Sequence, residues 1–87
     1  MDIHSPQARE RIRKRLRRIE GQVRGVARMV EAGRDCREIV QQLTAVRAAV
    51  QRATLDVMRT YASQCLSDPA STVSHEELLD YLLRTLG

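Results

Sequence analysis

This 87-residue chain contains only two thiols, and their spacing is the first feature with chemical consequence. Cys36 and Cys65 lie 29 positions apart in the stretch DCREIVQQLTAVRAAVQRATLDVMRTYASQC, which holds no Gly and no Pro. Apolar residues recur there at Ile39, Val40, Leu43, Val46, Val50, Val57, Met58 and Leu66, the three-four rhythm of one helical face. The spacing predicts one long helix with a thiol at each end. At a rise of about 1.5 Å per residue the two sulfurs stand roughly 43 Å apart. At about 100° per residue the angle between them closes to within about 20°, so they share a face. A rigid rod cannot bring them together within one chain. An antiparallel copy crossing near Val50 and Gln51 can: it sets Cys36 beside the partner's Cys65, and two-fold symmetry makes the site twice.

Two thiols in that register suit a soft metal ion, or chemistry on sulfur itself. In a reducing compartment two cysteines point to metal binding or reactivity before a structural disulfide. Two inert buried cysteines are the bland alternative. The N-terminus, MDIHSPQARE, reads as no secretion signal, and no apolar run reaches the roughly 18 residues of a membrane span, so the expectation is a cytoplasmic protein without a membrane partner.

The elements that position the thiols follow from punctuation. Residues 1–5 form a short arm. Ser5-Pro6 is a helix-start signal, Ser as N-cap and Pro at the first helical position. A first helix over about 6–32 carries Ile12, Leu16, Ile19, Val23, Val26 and Val30 as a heptad-like seam. Gly21 and Gly25, one turn apart inside it, suggest either the close approach of a neighbouring helix or two tolerated surface positions. Gly33 ends this helix. Asp35 and Glu38 then resemble a capping box for a second helix over about 36–66, which puts Cys36 in its first turn, where the positive end of the helix favours negative charge on sulfur, with Arg34 and Arg37 nearby. Residues 67–71 read as a loop. Ser74 and Glu77 make a second capping box for a short third helix over about 75–86, whose Leu78, Leu79, Leu82, Leu83 and Leu86 need a surface to cover. The fold class is all-α: an antiparallel helical hairpin plus a short C-terminal helix in one domain. With no Trp or Phe and a core of small aliphatic residues, so short a chain is expected to need partner copies.

Charge supplies a second function. The segment RERIRKRLRR over 9–18 holds seven of the fifteen basic residues: Arg9, Arg11, Arg13, Lys14, Arg15, Arg17 and Arg18. Arg11, Arg15 and Arg18 share a helical face, which Arg24 and Arg28 extend. With a net charge of +4, such a stripe suits a polyanion, and the preference for Arg over Lys suits forked contacts to phosphate. No helix-turn-helix spacing, zinc finger or RNA-binding aromatic motif is present, so contact would use a flat helical surface. A merely solvated face is the alternative.

On RLRRIEGQVRGVARMVEAGRDC, then QQLTAVRAAVQRA, then the second cysteine 29 positions after the first, nearly the whole chain resembles the CsoR/RcnR/FrmR-type repressors, which respond to copper, to nickel or cobalt, and to formaldehyde. The resemblance implies a three-helix protomer, an antiparallel dimer and a disc-like dimer of dimers. It also implies that the repressor binds double-stranded operator DNA and leaves it when an effector occupies the inter-subunit site. The family's DNA-linked residues fall on Arg15 and Arg52, with Arg18, Arg11 and Lys14 beside them. Cys36 and Cys65 match two copper ligands of the copper sensors; where their pattern has a His one turn before the second cysteine, this chain has Tyr61. Of the imidazoles that nickel and cobalt sensors use, only His4 falls near an N-terminal ligand position. The formaldehyde branch needs Pro at the second position, which here is Asp2. A two-cysteine site lacking the His is closest to the persulfide-sensing, CstR-like branch. Glu77 matches an acid behind the copper site, although its place in the capping box accounts for it equally. Tyr61 fits either a packed interface residue or a hydrogen-bond donor to a thiolate. His75 reads as a first-turn surface residue.

The expectation is therefore a homotetrameric, thiol-switched repressor, most simply for reactive sulfur species, with Cu(I) held linearly by the same two thiolates as the alternative. No obligatory cofactor is implied. A thiol oxidoreductase would want a C-x-x-C and a βαβ pattern, neither of which is present. A purely structural helical oligomer would have no need of two thiols in register.

Overall fold

The computed structural model describes residues 1–68 and 70–86; Pro69, within the expected loop, and Gly87 lie outside them. Helix α1 spans Pro6–Glu31. It starts where Ser5 Oγ accepts from the Ala8 N–H at 3.2 Å, satisfying one of the unpaired donors of the first turn. It stops at Gly33, whose φ of +69° is a left-handed turn that costs a glycine little. There the Arg34 N–H reaches the Met29 carbonyl at 3.0 Å and the Gly33 N–H reaches Val30 at 3.1 Å, the paired bonds of a Schellman ending.

Helix α2 spans Cys36–Ser67, and Asp35 caps it by accepting from the Arg37 N–H at 2.8 Å. Glu38 does not complete the expected box: its carboxylate turns back to Arg34 in an ion pair, a charged partner that outcompetes a neutral backbone donor. Helix α3 spans His75–Leu86. Ser74 Oγ accepts from the Glu77 N–H at 3.1 Å, so this half of the second box forms.

Helices α1 and α2 pack as a hairpin, with α3 against α2. The apolar seam of α1 divides into two stripes. Ile12, Ile19 and Val26 are buried with Ala8 on α1, and on α2 the buried residues are Ala53, Met58 and Cys65. Leu16, Val23 and Val30 alternate with the buried α1 residues and remain 52%, 50% and 59% exposed. Every fully buried residue of α2 lies at Ala53 or beyond; in the half nearest the α1–α2 turn Ile39, Val46 and Ala49 are only partly buried. Val40, Leu43 and Val50 on that half are exposed. A Cβ added at Gly21 or Gly25 would meet nothing within 4 Å, so no helix of the same protomer approaches them.

The Cα envelope measures 54 × 28 × 12 Å. Its least dimension is about the width of one helix, so the protomer is a single layer. Stable domains bury their apolar surface between at least two layers, and this chain has only one.

Candidate thiol site and nucleic-acid interface

Cys36 is the first residue of α2 and is exposed; Cys65, near the other end, is buried. Helix continuity between them keeps the sulfurs apart by the length of the rod. Among the described residues no three His, Cys, Asp or Glu side chains gather into a metal-holding cluster. The thiols therefore differ in access: a reagent reaches Cys36 first, whereas Cys65 is shielded within the protomer.

Tyr61 precedes Cys65 by one helical turn. Its ring meets Tyr81 of α3 edge-on, with centroids 6.0 Å apart and planes at 90°. Partial burial pushes its phenol above the ordinary tyrosine value, and the charge and hydrogen bond of Cys65 act in the same direction, as do Tyr81 and Glu77. The phenol is thus a neutral O–H beside the buried sulfur. It can donate a hydrogen bond there, and it is a poor metal ligand. Glu77 is positioned on α3 to act on Tyr61 through charge, in addition to its place in the helix cap.

The N-terminal arm is tied down at several points. Gln64, the neighbour of Cys65, accepts from the His4 backbone N–H at 2.8 Å and donates through Nε2 to the Asp2 carbonyl at 2.8 Å. The Asp2 carboxylate pairs with His4 Nε2 at 3.2 Å and with Arg9 at 3.0 Å. The His4 imidazole thus has an acidic partner within the arm, and no cluster among the described residues unites it with both thiols. The arm's second to fourth residues are fixed to both α1 and α2.

The basic residues converge along the α1–α2 groove. Arg11, Arg15, Arg52, Leu55, Asp56 and Arg59 line one concavity. Arg15, Arg18, Ile19, Gln22, Ala49 and Arg52 line the next. Arg15 and Arg52, brought from different helices, belong to both. Lys14 is exposed on α1 outside these two concavities. At the floor of the first, Asp56 has a side chain only 10% exposed. Arg11 forks onto it through Nε at 2.9 Å and Nη2 at 2.8 Å, and Arg15 adds a single Nε contact at 3.2 Å. The Arg11 hydrogen bonds hold the Asp56 carboxyl below the usual carboxylate range, against the opposing effect of burial; the charges of Arg11 and Arg15 add to them. The same bond raises Arg11. Sequence reasoning passed over Asp56 and Arg59. Their signal was the spacing Arg52, Asp56, Arg59, which places an acid between two bases on one face of α2.

A single-layer helical hairpin with an arginine-lined groove and a thiol at each end of its longest helix is the build of a small helical regulator. Residues 8–86 match the family model described as metal-sensitive transcriptional repressor, and the chain belongs to that family. It is 38% identical over 79 residues to the copper-sensing transcriptional repressor CsoR of Bacillus subtilis, covering 91% of this chain and 78% of that protein. Among solved structures it resembles the copper-sensing repressor CsoR with Cu(I) from Geobacillus thermodenitrificans, with a TM-score of 0.77, 33% identity, and coverage of 100% of this chain and 95% of that one. A variant of the formaldehyde-responsive regulator FrmR from Salmonella enterica serovar Typhimurium follows, with a TM-score of 0.76, 31% identity, and coverage of 94% and 97%. No helix among the described residues is long and apolar enough to cross a membrane.

Proposed function

We propose that this repressor binds double-stranded operator DNA through the arginine-lined α1–α2 groove, as a homotetramer built from antiparallel dimers, and that reactive sulfur species release it by acting on Cys36 and the partner's Cys65. The observation that carries the effector reading is Tyr61. Where copper sensors are expected to have a His, this chain holds a neutral phenol beside Cys65, which supports sulfur chemistry and offers no third soft ligand.

Assembly follows from what the protomer leaves exposed. An antiparallel crossing at Val50 and Gln51 sets Val40 opposite the partner's Tyr61 and Leu43 opposite the partner's Met58. The exposed valines and leucine of α2 would then be covered in the same step that joins the thiols.

The chemistry balances without a further oxidant. The Cys36 thiolate attacks the sulfane sulfur of a low-molecular-weight persulfide, R–S–SH, expelling R–S⁻ and forming Cys36–S–SH. The thiolate of the partner's Cys65 attacks the inner sulfur, expelling hydrosulfide and leaving an inter-subunit disulfide. The two thiols lose two electrons, which the sulfane sulfur gains as sulfide. If the partner's Cys65 is already a persulfide, the same displacement leaves a trisulfide. The covalent bridge sets the helix ends at a spacing different from that of two free thiols and shifts the oligomer toward a form that binds DNA less well.

Cu(I) is the second reading, favoured by the copper-sensing relatives. Cys36 and the partner's Cys65 would hold it as two thiolates in linear geometry. One experiment separates the two. After polysulfide treatment, a non-reducing gel should show a dimer that dithiothreitol dissolves, with operator binding lost in parallel. Cu(I) should release DNA without a covalent dimer, reversibly on adding a chelator. Operator binding that survives polysulfide but responds to Cu(I) would overturn the sulfur reading.

A further inference from the structure

We infer that Asp56 is a positioning residue of the DNA-binding face: its carboxylate aims two arginines at phosphate and restrains them from binding DNA indiscriminately. The inference rests on the nucleic-acid reading of the α1–α2 groove. Asp56 is the acid lining a concavity whose other charged residues are Arg11, Arg15, Arg52 and Arg59. It is nearly buried, whereas the arginines it holds are about half exposed, with side-chain exposures of 48% for Arg11 and 42% for Arg15.

The contacts to the two arginines are unequal, and the inequality carries the argument. Arg11 commits Nε and Nη2 to the carboxylate, the whole of one forked edge. Arg15 commits only Nε. Its two terminal nitrogens stay free of Asp56, and they are the pair that can grip a phosphate in parallel. Asp56 therefore spends one arginine to hold the α1–α2 groove and directs the other outward. Arg52, from α2, completes the same concavity.

Two effects of removing the carboxylate oppose each other, and they act on different DNA. Losing a negative charge and freeing Arg11 strengthens attraction to any phosphate backbone. Losing the anchor lets two long side chains rotate, and re-ordering each on binding costs roughly two- to tenfold in affinity. Non-specific binding tolerates loose side chains, because phosphate attraction supplies nearly all of it. Specific binding depends on contacts held in register. Asp56 thus trades raw affinity for discrimination.

The test compares wild type, Asp56→Asn and Asp56→Glu on an operator duplex and on a scrambled duplex, across a salt series, beside circular dichroism melting of each protein. Asp56→Asn keeps shape and removes charge. It should bind scrambled DNA more tightly, with a log K against log salt slope steeper by about 0.9 for each added phosphate contact. Its ratio of operator to scrambled affinity should fall on the order of tenfold, because two side chains must now be ordered on binding. Asp56→Glu keeps the charge on a longer stem, so it should hold the wild-type slope and recover part of the ratio. An Asp56→Asn protein that melts earlier yet keeps the wild-type ratio and slope would make Asp56 a strut only and overturn the inference. If Asp56→Asn is too unstable to assay, Asp56→Glu decides alone: a wild-type slope with a reduced ratio supports the role, and an unchanged ratio overturns it. Wild type without salt-dependent binding to either duplex would overturn the nucleic-acid reading itself, and this role with it.

Discussion

Replacing Val50 with Glu should dissociate the oligomer while leaving the protomer folded. Val50 sits at the expected crossing point of two α2 helices and is 46% exposed in the protomer. Full burial of a valine is worth roughly 1.5–2 kcal/mol, so about half of that, near 1 kcal/mol, is still to be gained when a partner covers it. Two-fold symmetry doubles the loss. The two new carboxylates would also face each other across the axis. At about 5 Å and an effective dielectric near 20 their repulsion is roughly 3 kcal/mol. Together these weaken association by about 5 kcal/mol, three to four powers of ten in the dissociation constant. Light scattering after size exclusion at micromolar concentration should show wild type as dimers or tetramers and Val50→Glu as monomer. Far-ultraviolet circular dichroism should still report helix in the variant, since no buried contact of the protomer is removed. A Val50→Glu protein with wild-type mass would show that α2 pairs elsewhere, and the Cys36–Cys65 register would fall with it.

Arg52→Ala should weaken operator binding at unchanged helicity and flatten the slope of log K against log salt by about 0.9, one phosphate contact, as read by fluorescence anisotropy. The depressed Asp56 carboxyl makes a signed prediction about acid. Its stabilisation is fully present above the unfolded aspartate value near 4 and is lost as pH falls from there through the lower folded value. Wild type should therefore lose more melting temperature than Asp56→Asn below about pH 4, and parallel acid curves would contradict the ion pair's contribution. Tyr61→His should raise Cu(I) affinity in competition with a chromogenic chelator, because an imidazole would replace the neutral phenol beside Cys65. Equal affinities in the two proteins would mean that the position is no missing ligand.

Local rules carried the three helices. A Ser, an Asp and a Gly mark helix ends through bonds made within a few residues, so Ser5, Asp35 and Gly33 could be read without knowing anything distant. The relation of the two thiols followed from helical rise and angle alone, because a continuous helix turns sequence distance directly into position. The comparable spacing of Ile12, Leu16, Ile19, Val23, Val26 and Val30 could not say which stripe meets α2, since both stripes have the same period. Tertiary packing divided them, burying the stripe of Ile12 and leaving that of Leu16 outside. It likewise made the two cysteines unequal, one exposed and one buried, although periodicity placed them on one face. The bonds from Arg11 and Arg15 to Asp56 and from Gln64 to the arm link residues more than forty positions apart. The spacing Arg52, Asp56, Arg59 marks an acid among bases on α2, but nothing local says that Asp56 pairs with Arg11 and Arg15 of the other helix. Only the docking of the hairpin made Asp56 the nearly buried centre of a basic groove.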